Sequence, residues 1–248
     1  MRKSIFACLL LAFLVIFNGC MMNKKEMTKV HKIAIVSLSC DKSLYQSNPN
    51  FLNLLVSGLM SDSIKLHAYA ERLRNRANTE MFSSLRASVI PLDSVSNQKN
   101  YLSLKNFITG SYSGYNWDIT CPKGSKMTDN YALNNYNILN EMYPDVNAYV
   151  FIRVHYQIQV MAGMGKSFVQ VGLAKIIAVY DVSIHNRDGK RIFYEQMRGY
   201  SHDTFPYLIT PCFNEDSRVP LQQADERAYK RVTEFLTKKF GSIYTASK

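Results

Sequence analysis

The chain has 248 residues and a formal net charge of +11, with 47% hydrophobic and 20% charged residues. This balance is typical of a folded protein and excludes a chain that is disordered along most of its length. At about 150 residues per domain, the length allows one domain or two small ones.

The first twenty residues have the form of a bacterial export signal. Met1-Arg2-Lys3 is a short positive segment, and a nearly unbroken apolar run of 14 residues follows from Ser4 to Phe17. Such a run is too short to cross a hydrocarbon core about 30 Å thick as a helix, but it matches the apolar region of a signal peptide. The run is followed by Asn18, Gly19 and Cys20.

A small residue directly before a cysteine at this distance resembles the lipobox of bacterial lipoproteins. The resemblance implies cleavage before Cys20, with a diacylglycerol thioether on its sulfur and a fatty acyl chain, such as palmitate, on its nitrogen. Several acyl chains on one residue are sufficient for stable anchoring. Phe17 and Asn18 depart from the commonest lipobox, so ordinary signal-peptide cleavage and an uncleaved anchor with a free Cys20 thiol remain alternatives.

This interpretation divides the chain into three parts. Residues 1–19 are the predicted lipoprotein signal peptide, residues 20–31 a lipidated basic tether, and residues 32–244 a single α+β domain in the periplasm. Residue two of the mature chain is Met21 rather than Asp, which by resemblance to the lipoprotein sorting rule favours the outer membrane. The predicted location is therefore the outer membrane, with the domain facing the periplasm.

Hydrophobic periodicity predicts helices packed on a sheet. The N-terminal half is predicted to contain a strand at 32–39, a helix start at Asn48-Pro49 and an amphipathic helix of about 24 residues with apolar positions from Leu66 to Leu85. A short strand at 88–92, a short helix at 100–107 and a helix at 132–143 follow. The C-terminal half is predicted to contain strands at 150–160, 174–184 and 191–200 and a final helix at 224–240. The predicted fold is α+β, a mainly antiparallel sheet with a C-terminal three-strand meander and amphipathic helices packed on it.

This order of elements is similar to that of three groups of envelope proteins. The Lys32–Val36 strand, the Val89–Pro91 strand and the hairpin at 180–191 resemble curli-secretion-channel lipoproteins, penicillin-binding-protein activator lipoproteins and the N-terminal domain of the TolB translocation protein. The resemblance covers roughly residues 30–240 and implies a fold that binds other envelope proteins or assembles into rings. It carries no binding residue, because no motif matches residue by residue.

The chain lacks a strong catalytic, metal or cofactor motif. Gly163-Met164-Gly165-Lys166-Ser167 resembles part of a phosphate-binding loop, but Val160 stands where the first glycine is needed, and a strand follows instead of a helix. The five histidines have no metal-ligand spacing, and no serine lies in a nucleophile turn of the GxSxG type. The sequence therefore predicts no catalytic residue, no metal, no cofactor and no enzymatic activity.

Two groups of residues are candidate contacts. Tyr112, Tyr115 and Trp117 lie in a glycine-flanked stretch without helix or strand periodicity, which suits a protein-binding or glycan-binding surface. Trp117 is expected to be at least partly exposed; a loop that packs on its own domain is the alternative. Lys65, Arg72 and Arg76 share one stripe of the predicted helix, where they would contact an external anion or form an ordinary solvated face.

The remaining cysteines allow one disulfide. Cys121 and Cys212 both lie beside prolines in predicted loops, where a bridge is one alternative and free thiols, with Cys40 as the third, are the other.

These observations favour a non-catalytic binding, scaffolding or assembly lipoprotein of the cell envelope. The membrane, envelope proteins or peptidoglycan and a second copy of the chain are the expected partners, and nucleic acid is not expected in this compartment. The alternating strands at 150–182 also match transmembrane hairpins, so a subunit of an outer-membrane secretion pore is the first alternative. A glycan-binding or glycan-active protein is the second.

Overall fold

The structure is a computed structural model that describes residues 20–46, 66–107, 119–164, 171–208 and 215–245. These residues form one eight-stranded sheet and five α-helices. The strands are β1 (Cys20–Met22), β2 (Lys32–Gln46), β3 (Ser88–Ile90), β4 (Ile119–Thr120), β5 (Ala148–Met164), β6 (Val171–Asn186), β7 (Arg191–Tyr200) and β8 (Phe205–Leu208). The helices are α1 (Lys24–Met27), α2 (His67–Thr79), α3 (Leu92–Ser96), α4 (Leu133–Met142) and α5 (Arg218–Thr245), with short 3₁₀ helices at Lys99–Ser103 and Glu215–Ser217.

The sheet is mixed, and the prediction of a mainly antiparallel sheet was wrong. Its main path runs β1-β7-β6-β5-β2-β3, with β4 paired to β2 and β8 paired to β6. Strand β2 is parallel to both β3 and β5, whereas β6 is antiparallel to β5 and β7. The parallel pairs arise from long connections: the chain leaves the end of β2, crosses back over the sheet and enters β3, and later β5, from the same side as β2.

Strand β5 illustrates how alternation divides the sheet into two faces. Its residues Val150, Ile152, Val154, Tyr156 and Ile158 are buried in a core that includes apolar side chains of α2 and α5. Successive side chains of a strand point to opposite faces, so the residues between them belong to the other side. We call that side the open face, because α2 and α5 do not cover it.

The open face is apolar at one end only. Near the start of β5, Tyr149 and Phe151 join a second core cluster with Tyr136 and Leu139 of α4. Further along the strand the same face carries Arg153, which is partly exposed. Helix α4 therefore covers one end of the open face and does not extend over its polar end.

Close packing of α5 on β7 depends on Gly199. A Cβ atom at this position would lie 2.2 Å from the backbone nitrogen of Ala228 and 2.3 Å from the carbonyl oxygen of Ala224. Both distances are far inside van der Waals contact, so no other residue fits without moving the helix.

The segment predicted to be a tether, residues 20–31, packs against the sheet. Strand β1 pairs antiparallel with β7, and the Asn23 side chain caps α1 by accepting a hydrogen bond from the Glu26 amide at 3.2 Å. Met27 of α1 is completely buried. The domain therefore includes residues on the N-terminal side of the predicted boundary at residue 32.

The amphipathic helix is shorter at its C-terminal end than the apolar pattern predicts. Helix α2 ends at Thr79, where the amide of Glu80 bonds to the carbonyl oxygen of Arg76. Met81, Phe82 and Leu85 are buried from the turns that follow. Apolar side chains can thus continue a helical spacing after the helix has ended, because turns also bury them.

Within the described ranges, no helix combines the length and apolar character needed to cross a membrane.

Candidate functional site

A cleft of about 200 Å³ lies on the open face of the sheet. Its floor is formed by β2, β5, β6 and β7, and residues 127–131 form its roof. The lining residues are Ser37, Ser39, Phe107, Met127, Thr128, Asn130, Tyr131, Phe151, Ile152, Arg153, Asp181, Ser183, Arg191 and Tyr194. The cleft therefore combines charged, hydroxyl and aromatic side chains, a mixture typical of sites that orient a small ligand.

Strand register explains why these residues meet. Directly opposed residues on neighbouring strands share a face, so each row across the sheet brings together side chains from distant parts of the chain. One row consists of Ser39, Arg153, Asp181 and Gln196, and the next of Ser37, Phe151, Ser183 and Tyr194. The two rows form the floor of the cleft.

Arg153 is held by a carboxylate on the neighbouring strand β2. Its Nη2 donates to Oδ2 of Asp41 at 2.6 Å, and the Asp41 side chain has no exposed surface. A buried carboxylate needs such a partner, because removing an unpaired charge from water is costly. Arg153 remains partly exposed at the cleft, so it is both an internal ion-pair partner and a surface that a ligand can contact.

Asp181 is held in the ionised form by its neighbours. The Tyr194 hydroxyl donates to its Oδ1 at 3.1 Å and the Gln196 amide at 2.9 Å, while Nδ1 of His155 lies 3.5 Å from Oδ2. Burial acts to raise the pKa of the Asp181 carboxyl, but hydrogen bonds from His155, Gln196 and Tyr194 outweigh it and lower the pKa below its usual value. Asp181 therefore offers a fixed negative charge and acceptor oxygens.

Arg191 and Tyr194 form the side of the cleft on β7. The Arg191 guanidinium carbon lies 4.9 Å from the centroid of the Tyr194 ring, within the range of a cation–π contact. Because Tyr194 also donates to Asp181, its ring and hydroxyl are both positioned by neighbouring side chains.

The roof is tied to the sheet by hydrogen bonds. The amide of Thr128 donates to Oγ of Ser37 at 3.1 Å, and the hydroxyl oxygen of Tyr101 lies within hydrogen-bond distance of the carbonyl oxygens of Val36 and Lys126, at 3.1 and 3.2 Å. The side chain of Asn135 donates to the carbonyl oxygen of Asp129 at 2.8 Å. These bonds hold the roof in place over β2.

Thr128 is a buried polar residue of the roof whose hydroxyl has no hydrogen-bond partner in the described structure. The residue is only 3% exposed. Its hydroxyl oxygen is buried and has no hydrogen-bond partner among the residues that the structure describes. Since buried polar atoms are nearly always paired, an unpaired hydroxyl lining a cleft points to a partner supplied by solvent or a ligand.

The aromatic residues predicted from the sequence belong to a segment that the structure does not describe. Tyr112, Tyr115 and Trp117 lie outside the described residues. The described chain stops at Phe107, which lines the cleft, and resumes at Ile119, which pairs with Asp41 on β2.

Arg72 and Arg76, for which the sequence offered an external anion or a solvated helix face, form ion pairs with Glu226 of the protein itself. Nη2 of Arg76 lies 2.7 Å from both carboxylate oxygens of Glu226, and Nη1 of Arg72 lies 3.3 Å from Glu226 Oε1. These ion pairs connect α2 to α5, because the two helices lie side by side on the sheet. Lys65, the third residue of the predicted stripe, lies outside the described residues.

The possible disulfide between Cys121 and Cys212 involves one residue that the structure does not describe. Cys121 is a free thiol, and Cys212 lies outside the described residues. Burial raises the pKa of the Cys121 thiol to about 11. Cys20, the predicted lipidation site, is the first residue of β1 and pairs with Glu195.

Sequence reasoning missed most of the cleft, although one signal was present. The polar residues Arg153, His155 and Gln157 alternate with apolar ones along β5, which marks them as one face. Neither Ser37 and Ser39 on β2 nor Thr128 in the roof carries any sequence signal that would place it beside them.

The described residues contain no group of three or more histidine, cysteine, aspartate or glutamate side chains placed to hold a metal ion. Comparison of the chain with protein-family models and with curated proteins gives no match.

Proposed function

We propose that this protein is a non-catalytic binding or scaffolding lipoprotein of the bacterial cell envelope, anchored through Cys20 to the outer membrane and facing the periplasm. The observation that carries the proposal is the apolar run from Ser4 to Phe17 followed by Gly19-Cys20. The position of β1 supports it: this strand ends the main strand path and pairs with β7, so the acylated residue would lie at an edge of the sheet.

The cleft on the open face is the proposed binding site. In this proposal β5, β6 and β7 act as a C-terminal meander that presents most of its floor. The chemistry favours binding over catalysis, because the carboxylate of Asp181 has a lowered pKa, whereas a general acid or base working near neutral pH needs a pKa near 7. Envelope proteins or peptidoglycan are the proposed partners.

The anchor is tested by replacing the acylated cysteine. Cys20→Ser should abolish labelling with a clickable fatty acid and leave the protein unprocessed or outside the membrane fraction. Cys121→Ser is the matched control and should keep both labelling and fractionation. Equal labelling of the Cys20→Ser variant and the wild type would refute the anchoring proposal.

A pore subunit is the second candidate, because of the long β5–β6 hairpin. The two strands have 17 and 16 residues, and near their joined ends Val160, Met161 and Leu173 are between 44% and 51% exposed. Exposed apolar residues at a hairpin end suit contact with a membrane or with another copy of the chain. Size-exclusion chromatography of the detergent-solubilised protein separates the candidates: rings of many subunits would favour the pore, and a small species the binding protein.

A further inference from the structure

We propose that the cleft binds a single uncharged, hydroxyl-rich ring, such as one sugar unit of a glycan. This inference assigns a ligand class to the binding site of the proposed function and rests on it. It concerns the cleft alone, so it holds or fails independently of the anchor at Cys20.

The balance of charge at the cleft argues for a neutral ligand. Two guanidinium groups, Arg153 and Arg191, line the cleft together with the carboxylate of Asp181, and a second carboxylate, Asp41 on β2, pairs with Arg153. An anion entering the cleft would meet the negative charge of Asp181, and a cation would meet the two arginines. A neutral molecule is repelled by neither the carboxylate nor the arginines.

The arrangement of donors and acceptors argues for hydroxyl groups on the ligand. Arginine only donates hydrogen bonds and an ionised carboxylate only accepts them, whereas a hydroxyl does both. The cleft offers both kinds of group side by side on the row that contains Arg153 and Asp181. A ring that carries several hydroxyls can satisfy both, and it can also pair with the buried Thr128 hydroxyl, which has no partner in the described structure.

The aromatic side chains argue for a ring with apolar C–H groups. Phe107, Phe151, Tyr131 and Tyr194 all line the cleft. Tyr131 is 67% exposed, so its ring has surface that a ligand can contact. A sugar presents C–H groups on its faces and hydroxyls at its rim, so it can contact aromatic rings and the charged row at once.

The size of the cleft limits the ligand to about one ring. Its volume of about 200 Å³ lies below the range of about 300–1,000 Å³ usual for drug-sized ligands. It is nevertheless larger than a cavity that holds one water molecule. A longer glycan would therefore leave its other units outside.

The test is binding of neutral sugars to the full-length protein in a detergent without a sugar headgroup. Saturation-transfer NMR and calorimetry would use glucose, galactose, mannose and N-acetylglucosamine as probes, with inorganic phosphate as the anionic probe. At least one sugar should bind and phosphate should not. Binding of phosphate without any sugar, or of none of these probes, would overturn the proposal.

Two variants place the binding in the cleft. Thr128→Val should lower sugar affinity about fivefold, as expected for one lost hydrogen bond, without lowering the melting temperature, because the hydroxyl has no partner to lose among the described residues. Thr79→Val, at the exposed end of α2, is its control and should leave affinity unchanged. Tyr131→Ala should weaken binding, whereas Leu133→Ala, another exposed apolar residue, should not.

The outcomes separate the two proposals. Loss of fatty-acid labelling in Cys20→Ser with no sugar bound by the wild type would support the anchored binding protein and refute the sugar. Sugar binding that both Thr128→Val and Tyr131→Ala leave unchanged would show that the ligand binds elsewhere, and would refute the assignment to the cleft.

Discussion

Nη2 of Arg153 on β5 donates to Oδ2 of Asp41 on β2 at 2.6 Å, although the two residues are 112 positions apart in the chain. The pair joins two parallel strands on the open face, and the carboxylate is fully buried while the guanidinium reaches the cleft. It is therefore part of the stability of the sheet and part of the candidate site.

Replacing Arg153 should destabilise the protein more than replacing the other arginine of the cleft. Arg153→Met keeps the apolar stem but leaves the buried Asp41 carboxylate without its guanidinium, so the free energy of unfolding should fall by about 3 kcal/mol. Arg191→Met, which removes the cation–π contact with the Tyr194 ring, leaves no fully buried carboxylate behind and should cost less, about 1 kcal/mol. Urea denaturation of both variants measures the difference, and equal losses would contradict the role given to the buried pair.

Asp225 should make the protein less stable as the pH rises above about 4. Its carboxylate is only 3% exposed and accepts hydrogen bonds from the hydroxyls of Tyr156 and Tyr180 at 3.0 and 2.7 Å. Burial raises its pKa in the folded state despite the bonds from the two tyrosines and the charge of Arg76. Between the unfolded pKa near 4 and the raised folded pKa, the folded state holds the proton more tightly.

The contribution of Asp225 to stability is therefore complete below the unfolded pKa and is lost as the pH rises through the folded pKa. Asp225→Asn should remove this part of the pH dependence, measured by urea denaturation at several pH values from 4 to 8. Asp216→Asn, at an exposed position, is the control and should follow the wild type. A variant curve with the same slope as the wild type would show that Asp225 is not the titrating group.

Two glycine-to-alanine substitutions should have opposite effects. Gly199→Ala places a methyl group 2.2 Å from the backbone of α5 and should lower the free energy of unfolding by more than about 2 kcal/mol or prevent folding. Gly241→Ala, in the exposed C-terminal part of α5, meets no atom within 4 Å and should raise it by about 0.5–1 kcal/mol through helix propensity. Thermal denaturation compares them, and a tolerated Gly199→Ala would contradict the close packing of β7 on α5.

Cys121 should react slowly with alkylating agents at neutral pH. Burial raises the pKa of its thiol to about 11, and the thiolate is the reactive form. The alkylation rate of the folded protein should still be rising between pH 8 and pH 10, whereas in urea the dependence should level off near an ordinary thiol pKa of about 8.5. Peptide mapping by mass spectrometry measures the alkylation of Cys121 separately from that of the other cysteines. Complete alkylation of Cys121 in the native protein at pH 7 would contradict the raised thiol pKa.

Much of the local structure could be predicted from the sequence, but less of the sheet. The predicted helix at 132–143 corresponds to α4 at Leu133–Met142, because its apolar spacing and Pro144 are local signals. The short strands β1, β4 and β8 were not predicted, since two to four residues carry too little pattern to distinguish a strand from a loop.

Alternation along residues 150–160 was enough to determine which side chains of β5 share a face, because successive side chains of any strand point to opposite sides. Only the tertiary structure decided which strands flank β5 and in which direction they run. Those choices depend on burying the apolar residues of α2, α5 and the strands in one common core, which the pattern of β5 alone does not specify. The cleft follows from them: Arg153 carries a local signal, but its neighbours Asp41 and Ser39 reach it only through the parallel pairing of β2 with β5.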